Sequence, residues 1–132
     1  MKQSNLSKRV FVGIKAADEI SDGCAKLQEG LSNLPARLTR PNDMHLTLLR
    51  PWQMKDRQLV EKQIRKALRN INSFTIEFTS MSVGPDNVRP RLVWITGEAT
   101  NEIIRLKQGF DDVFGREPTS NFLPHMTIAR FA

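Results

Sequence analysis

The chain repeats itself, and any fold it takes has to accommodate the repetition. "RVFVGI" (Arg9 to Ile14), an amphipathic stretch and "MHLTLLR" fill residues 9–50; "RLVWIT" (Arg91 to Thr96), a second amphipathic stretch and "PHMTIAR" fill residues 91–130. The interval from the first arginine to the histidine is 36 residues in one half and 34 in the other. Ile20, Leu27 and Leu31 map onto Ile103, Phe110 and Phe114 at a constant offset. Each half therefore reads as strand, helix, strand. Two such halves related by a pseudo-two-fold axis give two similar lobes. The chain has two histidines, His45 and His125, and they fall at equivalent places, each two residues before a threonine.

The remaining elements follow from periodicity. "RVFVGI" is short, apolar and β-branched, as in a buried strand. A first helix spans Asp18 to Leu31 with Ile20, Cys24, Leu27 and Leu31 on one face; Asn33 and Pro35 end it. "ARLTRP" is a short strand. Asp56 caps a second helix whose apolar face holds Val60, Ile64, Ala67, Leu68 and Ile71. "FTIEFTSM", from Phe74, alternates as a half-buried strand does, and "GPDN" (Gly84 to Asn87) is a turn. Thr100 caps a third helix carrying Ile103, Leu106, Phe110 and Phe114. "FLPHMTIA" is the last strand.

A length of 132 residues suits one domain, residues 1–132, with the repeat at the level of its lobes. No apolar run approaches a membrane span, so no membrane association is expected. "MKQSNLSKR" lacks an apolar core segment, so no signal peptide is expected. A single cysteine, Cys24, excludes an internal disulfide framework and fits a reducing, cytoplasmic setting. Its neighbours at helical spacing are apolar, which marks it as core. The net charge of +6 favours a polyanionic partner, although the basic residues are dispersed rather than gathered in a tail.

On a strand, side chains alternate faces. His45 and Thr47 therefore point one way, with Leu46 and Leu48 directed into the core. His125 and Thr127 stand in the same relation to Met126 and Ile128. With eight threonines in 132 residues, both coincidences would arise by chance about 0.4% of the time. Two imidazoles and two hydroxyls facing one cleft can grip a phosphate. The hydroxyls donate to non-bridging oxygens, one imidazole removes a proton from the nucleophile and the other protonates the leaving oxygen. Histidine suits both tasks because imidazole titrates near neutral pH. A metal site is disfavoured, since no cysteine or carboxylate recurs at ligand spacing beside both histidines. A Ser-His-Asp triad lacks its G-x-S-x-G turn. Arg50 and Arg130 complete an H-x-T-x-x-R pattern. Strand parity turns them away from the cleft unless the strand ends or bulges first.

These residues resemble the 2H phosphoesterase superfamily, and within it the RNA 2′,3′-cyclic phosphodiesterase (2′-5′ RNA ligase-like) group. "RVFVGI" is similar to the group's opening strand, "RPNDMHLTLL" to its first motif, "RPRLVWI" to its mid-chain strand and "FLPHMTIAR" to its second motif. The resemblance spans residues 9–130. It implies an α+β, bilobal fold of two pseudo-symmetric β/α lobes, with antiparallel sheets flanking a central cleft. It implies hydrolysis of a 2′,3′-cyclic phosphate, on an RNA end or a small nucleotide, to a 2′-phosphate, with no cofactor and no metal. It implies His45 as proton donor, His125 as proton acceptor, and Thr47, Thr127 and Arg130 on the phosphate. Arg50 departs from the family pattern and receives no role. The chain stops at Ala132, whereas members of the group usually continue with further strands; the last strand's edge is then expected to be exposed unless another segment covers it.

Trp52, Phe11 and Phe122 are candidates to stack on a base. A monomer acting on RNA is expected. Two alternatives stay open: a non-catalytic RNA- or nucleotide-binding module, and 2′-5′ RNA ligase or 2′-5′ phosphodiesterase activity at the same site.

Overall fold

The computed structural model describes residues 7–132. The expectation drawn from the N-terminal nine residues, that they hold no signal peptide, falls mostly outside that range. The elements run β1 (Lys8–Lys15), α1 (Asp18–Glu29), β2 (Ala36–Leu38), β3 (His45–Met54), α2 (Arg57–Leu68), β4 (Phe78–Gly84), β5 (Leu92–Gly97), α3 (Asn101–Val113) and β6 (His125–Phe131). The strands form one antiparallel sheet in the order β1-β3-β6-β5-β4, with β2 also paired to β6.

The two lobes of the α+β fold are the pairs β1–β3 and β5–β6, joined at a single residue pair, Leu46 with Met126. Beyond that pair β3 and β6 part. The side of β6 that β3 vacates is taken by β2, which pairs Ala36 with Phe131 and Leu38 with Ala129. The segment that covers the edge of the last strand is therefore β2: β6 has partners on both sides.

Helices cover one face of the sheet. Leu46, Leu48, Leu49, Met126, Ile128 and Ala129 project from the two central strands into a core closed by Cys24, Ile103, Leu106 and Phe110. Burying each such side chain contributes roughly 1.5–3 kcal/mol before the ordering entropy is set against it. The predicted caps form: the Asp56 carboxylate accepts from the Leu59 N–H at 3.1 Å, and the Thr100 hydroxyl oxygen from the Ile103 N–H at 3.4 Å. No helix among the described residues is long and apolar enough to cross a membrane.

Three details depart from the sequence reading. First, β1 is an edge strand rather than a buried one; Phe11 is 46% and Ile14 38% exposed. Its β-branched residues suit a pleated surface, but only Val10 and Val12 are half-buried.

Second, α1 packs Ile20 and Cys24 on the core as expected, with Leu31 just past its end, but Leu27 is displaced from that face by Gln28. The helix buries Ser21, Cys24 and Gln28, while Leu27 is 41% exposed. The cause is polar: the Gln28 side-chain amide donates to the carbonyls of Thr39 (2.7 Å) and Ile128 (2.9 Å), tying α1 to β2 and β6 where those strands meet.

Third, the strand expected from Phe74 begins at Phe78. Phe78 pairs with Gly97, the end of β5, so residues 74–77 run past the last available partner. Phe74 and Ile76 still pack on the core. The chain there lies so close to Gly97 that a β-carbon at 97 would strike the Glu77 carbonyl.

Candidate active site

The two motifs adopt the same local structure. Along β3 and along β6 the burial runs half-buried His, buried Leu46 or Met126, half-buried Thr, then two consecutive buried residues and an exposed Arg. The doubled buried step is a β-bulge in each strand. On β1, Val12 and Gly13 are neighbours, yet they pair with Leu49 and Thr47, so Leu48 is the extra residue. On β5, Val93 and Trp94 pair with Ala129 and Thr127, so Ile128 is extra. A bulge resets the alternation, and this frees Arg130 from the helix face.

The register through Leu46 and Met126 sets His45 opposite Thr127 and Thr47 opposite His125. Each imidazole is thus diagonal to the other in the register extended from that pair. Diagonal neighbours in a regular antiparallel pair stand about 7–8 Å apart, and here the strands splay from that point.

The imidazoles are held alike. His45 Nδ1 lies 2.7 Å from the Asp43 carbonyl and His125 Nδ1 lies 2.8 Å from the Leu123 carbonyl. A carbonyl only accepts, so each Nδ1 carries the proton and Nε2 is left to give or take one.

Each ring also rests on an aromatic side chain. Phe11 stands 4.6 Å from His45 between centroids, and Trp94 stands 4.4 Å from His125. The platforms are built differently. Trp94 occurs at the register position held by Gly13 in the first half, since these two pair with Thr127 and Thr47. Gly13 has no side chain to stack, but it leaves room for Phe11; a β-carbon there would come within 3.1 Å of the Phe11 ring and 3.2 Å of His45. Trp94 in turn lies over Gly84, where a β-carbon would reach its ring at 2.5 Å, and its Nε1–H donates to the Ser82 hydroxyl at 3.0 Å.

His45, Thr47, His125, Thr127 and Arg130 all line one cavity of about 520 Å³, within the range of roughly 300–1,000 Å³ usual for small-molecule sites. Arg50 is exposed and outside that lining. Trp52 and Phe122, expected as base platforms, are placed elsewhere. Trp52 packs edge-on against Phe114 at 5.6 Å under the Arg116 guanidinium, and Phe122 lies beneath Lys107 Nζ at 5.8 Å. Both join the partly buried residues around the core. Their apolar rings find the helix face before the cleft face. Phe11 touches the site through His45 and is absent from the cavity lining.

Sequence reading missed the opposite wall. Arg37, Leu38, Thr39 and Arg40, a run in and just after β2, line the same cavity, together with Asp43 and Leu92. The alternation of Arg37 and Thr39 with apolar Ala36 and Leu38 was the available signal. Trp94 was missed as well. Its sign was the strand equivalence between "RLVWIT" and "RVFVGI", which could have directed it to a histidine.

A family model described as the 2′-5′ RNA ligase superfamily matches residues 16–132. The chain is 24% identical over 131 residues to an RNA 2′,3′-cyclic phosphodiesterase of Aquifex aeolicus, covering 92% of this chain and 70% of that protein. It is 25% identical over 126 residues to one of Archaeoglobus fulgidus, covering 92% and 72%. In three dimensions it is similar to E. coli LigT complexed with phosphate, with a TM-score of 0.74 and 20% identity over 95% of this chain and 72% of that one. That likeness establishes the fold.

Proposed function

The chain belongs to the 2′-5′ RNA ligase superfamily of 2H phosphoesterases, and we propose that within it the protein is a metal-independent phosphodiesterase that opens a 2′,3′-cyclic phosphate, on an RNA end or a nucleotide, to a 2′-phosphate. The observation that carries the reading is the matched pair of imidazoles, each with Nδ1–H fixed on its own backbone carbonyl, lining one cavity with two threonines and Arg130. The names of the Aquifex and Archaeoglobus relatives support the same substrate class.

In this mechanism the phosphate lies between the motifs. Thr47 and Thr127 donate to its non-bridging oxygens and Arg130 offsets its charge. His125 takes a proton from water through Nε2 as the water oxygen attacks phosphorus. His45, protonated at the start, delivers its Nε2 proton to the departing 3′-oxygen, leaving the phosphate on the 2′-oxygen. Because each ring is fixed through its Nδ1–H before a substrate arrives, the site is preorganised for the charge that develops in the reaction. The half-buried imidazoles keep contact with water, the co-substrate.

The test is hydrolysis of nucleoside 2′,3′-cyclic phosphates in excess EDTA. Wild type should turn over, and His45→Ala and His125→Ala should each lose about 10²–10⁴ in kcat. A bell-shaped pH–rate profile is expected from one acid and one base. Full activity in either variant, or loss of wild-type activity in EDTA, overturns the reading. The non-catalytic alternative predicts nucleotide binding without turnover, insensitive to both substitutions.

A further inference from the structure

We infer that the β2 wall of the cavity is a second phosphoryl subsite, built to take a phosphate on the 5′-oxygen of the same nucleoside that carries the reacting cyclic phosphate; this rests on the reading above and deepens it. Four consecutive residues, Arg37 to Arg40, line the cavity, yet none of them belongs to the buried core. Packing therefore does not account for their side chains. Arg37 pairs directly across from Arg130 in the β2–β6 ladder, and both reach the cavity. Like charges directly opposite on a sheet destabilise it. Among the described residues neither guanidinium has a carboxylate within ion-pair distance. Arg40 has only Asp43, at 3.7 Å, with the two side chains 88% and 66% exposed. The lining carries three arginines, Arg37, Arg40 and Arg130, against one carboxylate, Asp43, and such an excess of positive charge in a concave site favours an anionic ligand.

The position of that anion follows from the strand. Across the bulge at Ile128, Thr127 and Arg130 pair with Trp94 and Leu92, two residues apart on β5, so Arg130, and Arg37 opposite it, lie about 7 Å from Thr127 along the sheet at strand rise. A cyclic phosphate diester held between the H-x-T motifs carries one negative charge, which Arg130 offsets, so Arg37 and Arg40 are left for another anion. The ligand needs a second anionic group, separated from the first by roughly the width of a sugar. A nucleoside whose 2′ and 3′ oxygens are both in a cyclic phosphate has one oxygen left on its ribose for a phosphoryl group, the 5′-oxygen. In an RNA end that group is a phosphodiester; in a free nucleotide it is a monoester. Guanidinium forks on β2 suit either.

The test is equilibrium binding of product-shaped ligands to the full chain by calorimetry, which does not require turnover. The probes are adenosine 2′-monophosphate, adenosine 2′,5′-bisphosphate, and a dinucleotide ending in a 2′-phosphate, whose second phosphate is a diester. Wild type should bind one or both of the latter about tenfold or more tighter than the first. Arg37→Gln, alone or with Arg40→Gln, should remove that increment, with far-UV circular dichroism as the check on folding. Enhancement of the bisphosphate alone identifies a free nucleotide as the source; enhancement of the dinucleotide identifies an RNA end. Equal affinity of wild type for all three probes, no binding of any, or an increment that survives the double substitution overturns the subsite. Absence of cyclic-phosphate hydrolysis with the increment intact would instead overturn the hydrolase reading and leave the subsite standing.

Discussion

Replacing Asp111 with alanine should remove a large share of the stability of this protein. Lys107 Nζ stands 2.5 Å from Asp111 Oδ1, with the side chains 10% and 4% exposed. The other carboxylate oxygen accepts from the Thr119 N–H at 3.3 Å and the Thr119 hydroxyl at 3.1 Å. Asp111→Ala leaves a buried ammonium without its counter-charge, at a cost of about 3–5 kcal/mol. Total stability for such a domain is about 5–15 kcal/mol. For 132 residues, an unfolding entropy of about 2.1 cal/mol/K per residue converts that loss to a fall in Tm of about 10–18 °C. Replacing both partners with apolar residues, Lys107→Met with Asp111→Leu, removes the stranded charge and should recover most of the loss. Thr119 sits in the segment leading to His125, so Asp111→Ala should also lower kcat at temperatures where the fold persists. Thermal melts followed by circular dichroism, with urea unfolding as a second measure, decide the matter. A fall under about 1 kcal/mol for the single variant, or a double variant as unstable as the single, would refute the reasoning.

Two further outcomes are expected. Trp94→Leu takes away the surface on which His125 rests and should lower kcat about tenfold to a hundredfold, with Trp94→Phe largely restoring it; wild-type kcat in the leucine variant would sink the idea. Asp86 accepts from the backbone N–H groups of Arg89 and Val88, and these bonds, that of Arg89 first, hold its carboxyl below the usual carboxylate value. A depressed folded-state value means that the turn is stabilised above the ordinary range near pH ~4 and loses this as pH falls through the folded value. A carboxyl NMR titration should therefore place its midpoint below that range, and a midpoint at or above it refutes the assignment.

The order of elements was legible because each carries a local signal: helix caps at Asp56 and Thr100, and period-two alternation around His45 and His125. What the sequence hid were effects of partners distant in the chain. Gln28 is a polar residue in a helix, and its burial makes sense only once two carbonyls, of Thr39 just after β2 and of Ile128 in β6, are known to converge on it. Residues 74–77 alternate as a strand should, yet β5 ends at Gly97 and leaves them unpaired. Trp52 and Phe122 are aromatic and flank the motifs, but adjacency in sequence does not fix which face of the sheet a ring finds. Trp94, far from the second motif in sequence, reaches His125 through the β5–β6 register.

The repeat explains the histidines, and it also limits what they can decide. Two motifs with the same bulge, the same Nδ1–carbonyl bond and an aromatic platform each give two nearly interchangeable imidazoles, which on the proposed reading are the proton-transfer groups. Direction in the reaction then has to come from something the repeat does not contain. That element is β2, which lies on β6 and has no counterpart on β3 among the described residues. Both motifs bulge before their arginine, yet Arg130 lines the cavity and Arg50 does not, because only Arg130 has β2 beside it to form a wall. On the proposed reading, the β2 arginines orient the substrate between two similar imidazoles, and so determine which histidine meets the water and which meets the leaving oxygen. The short strand that contributes least to the core is then the part of the fold that breaks its symmetry.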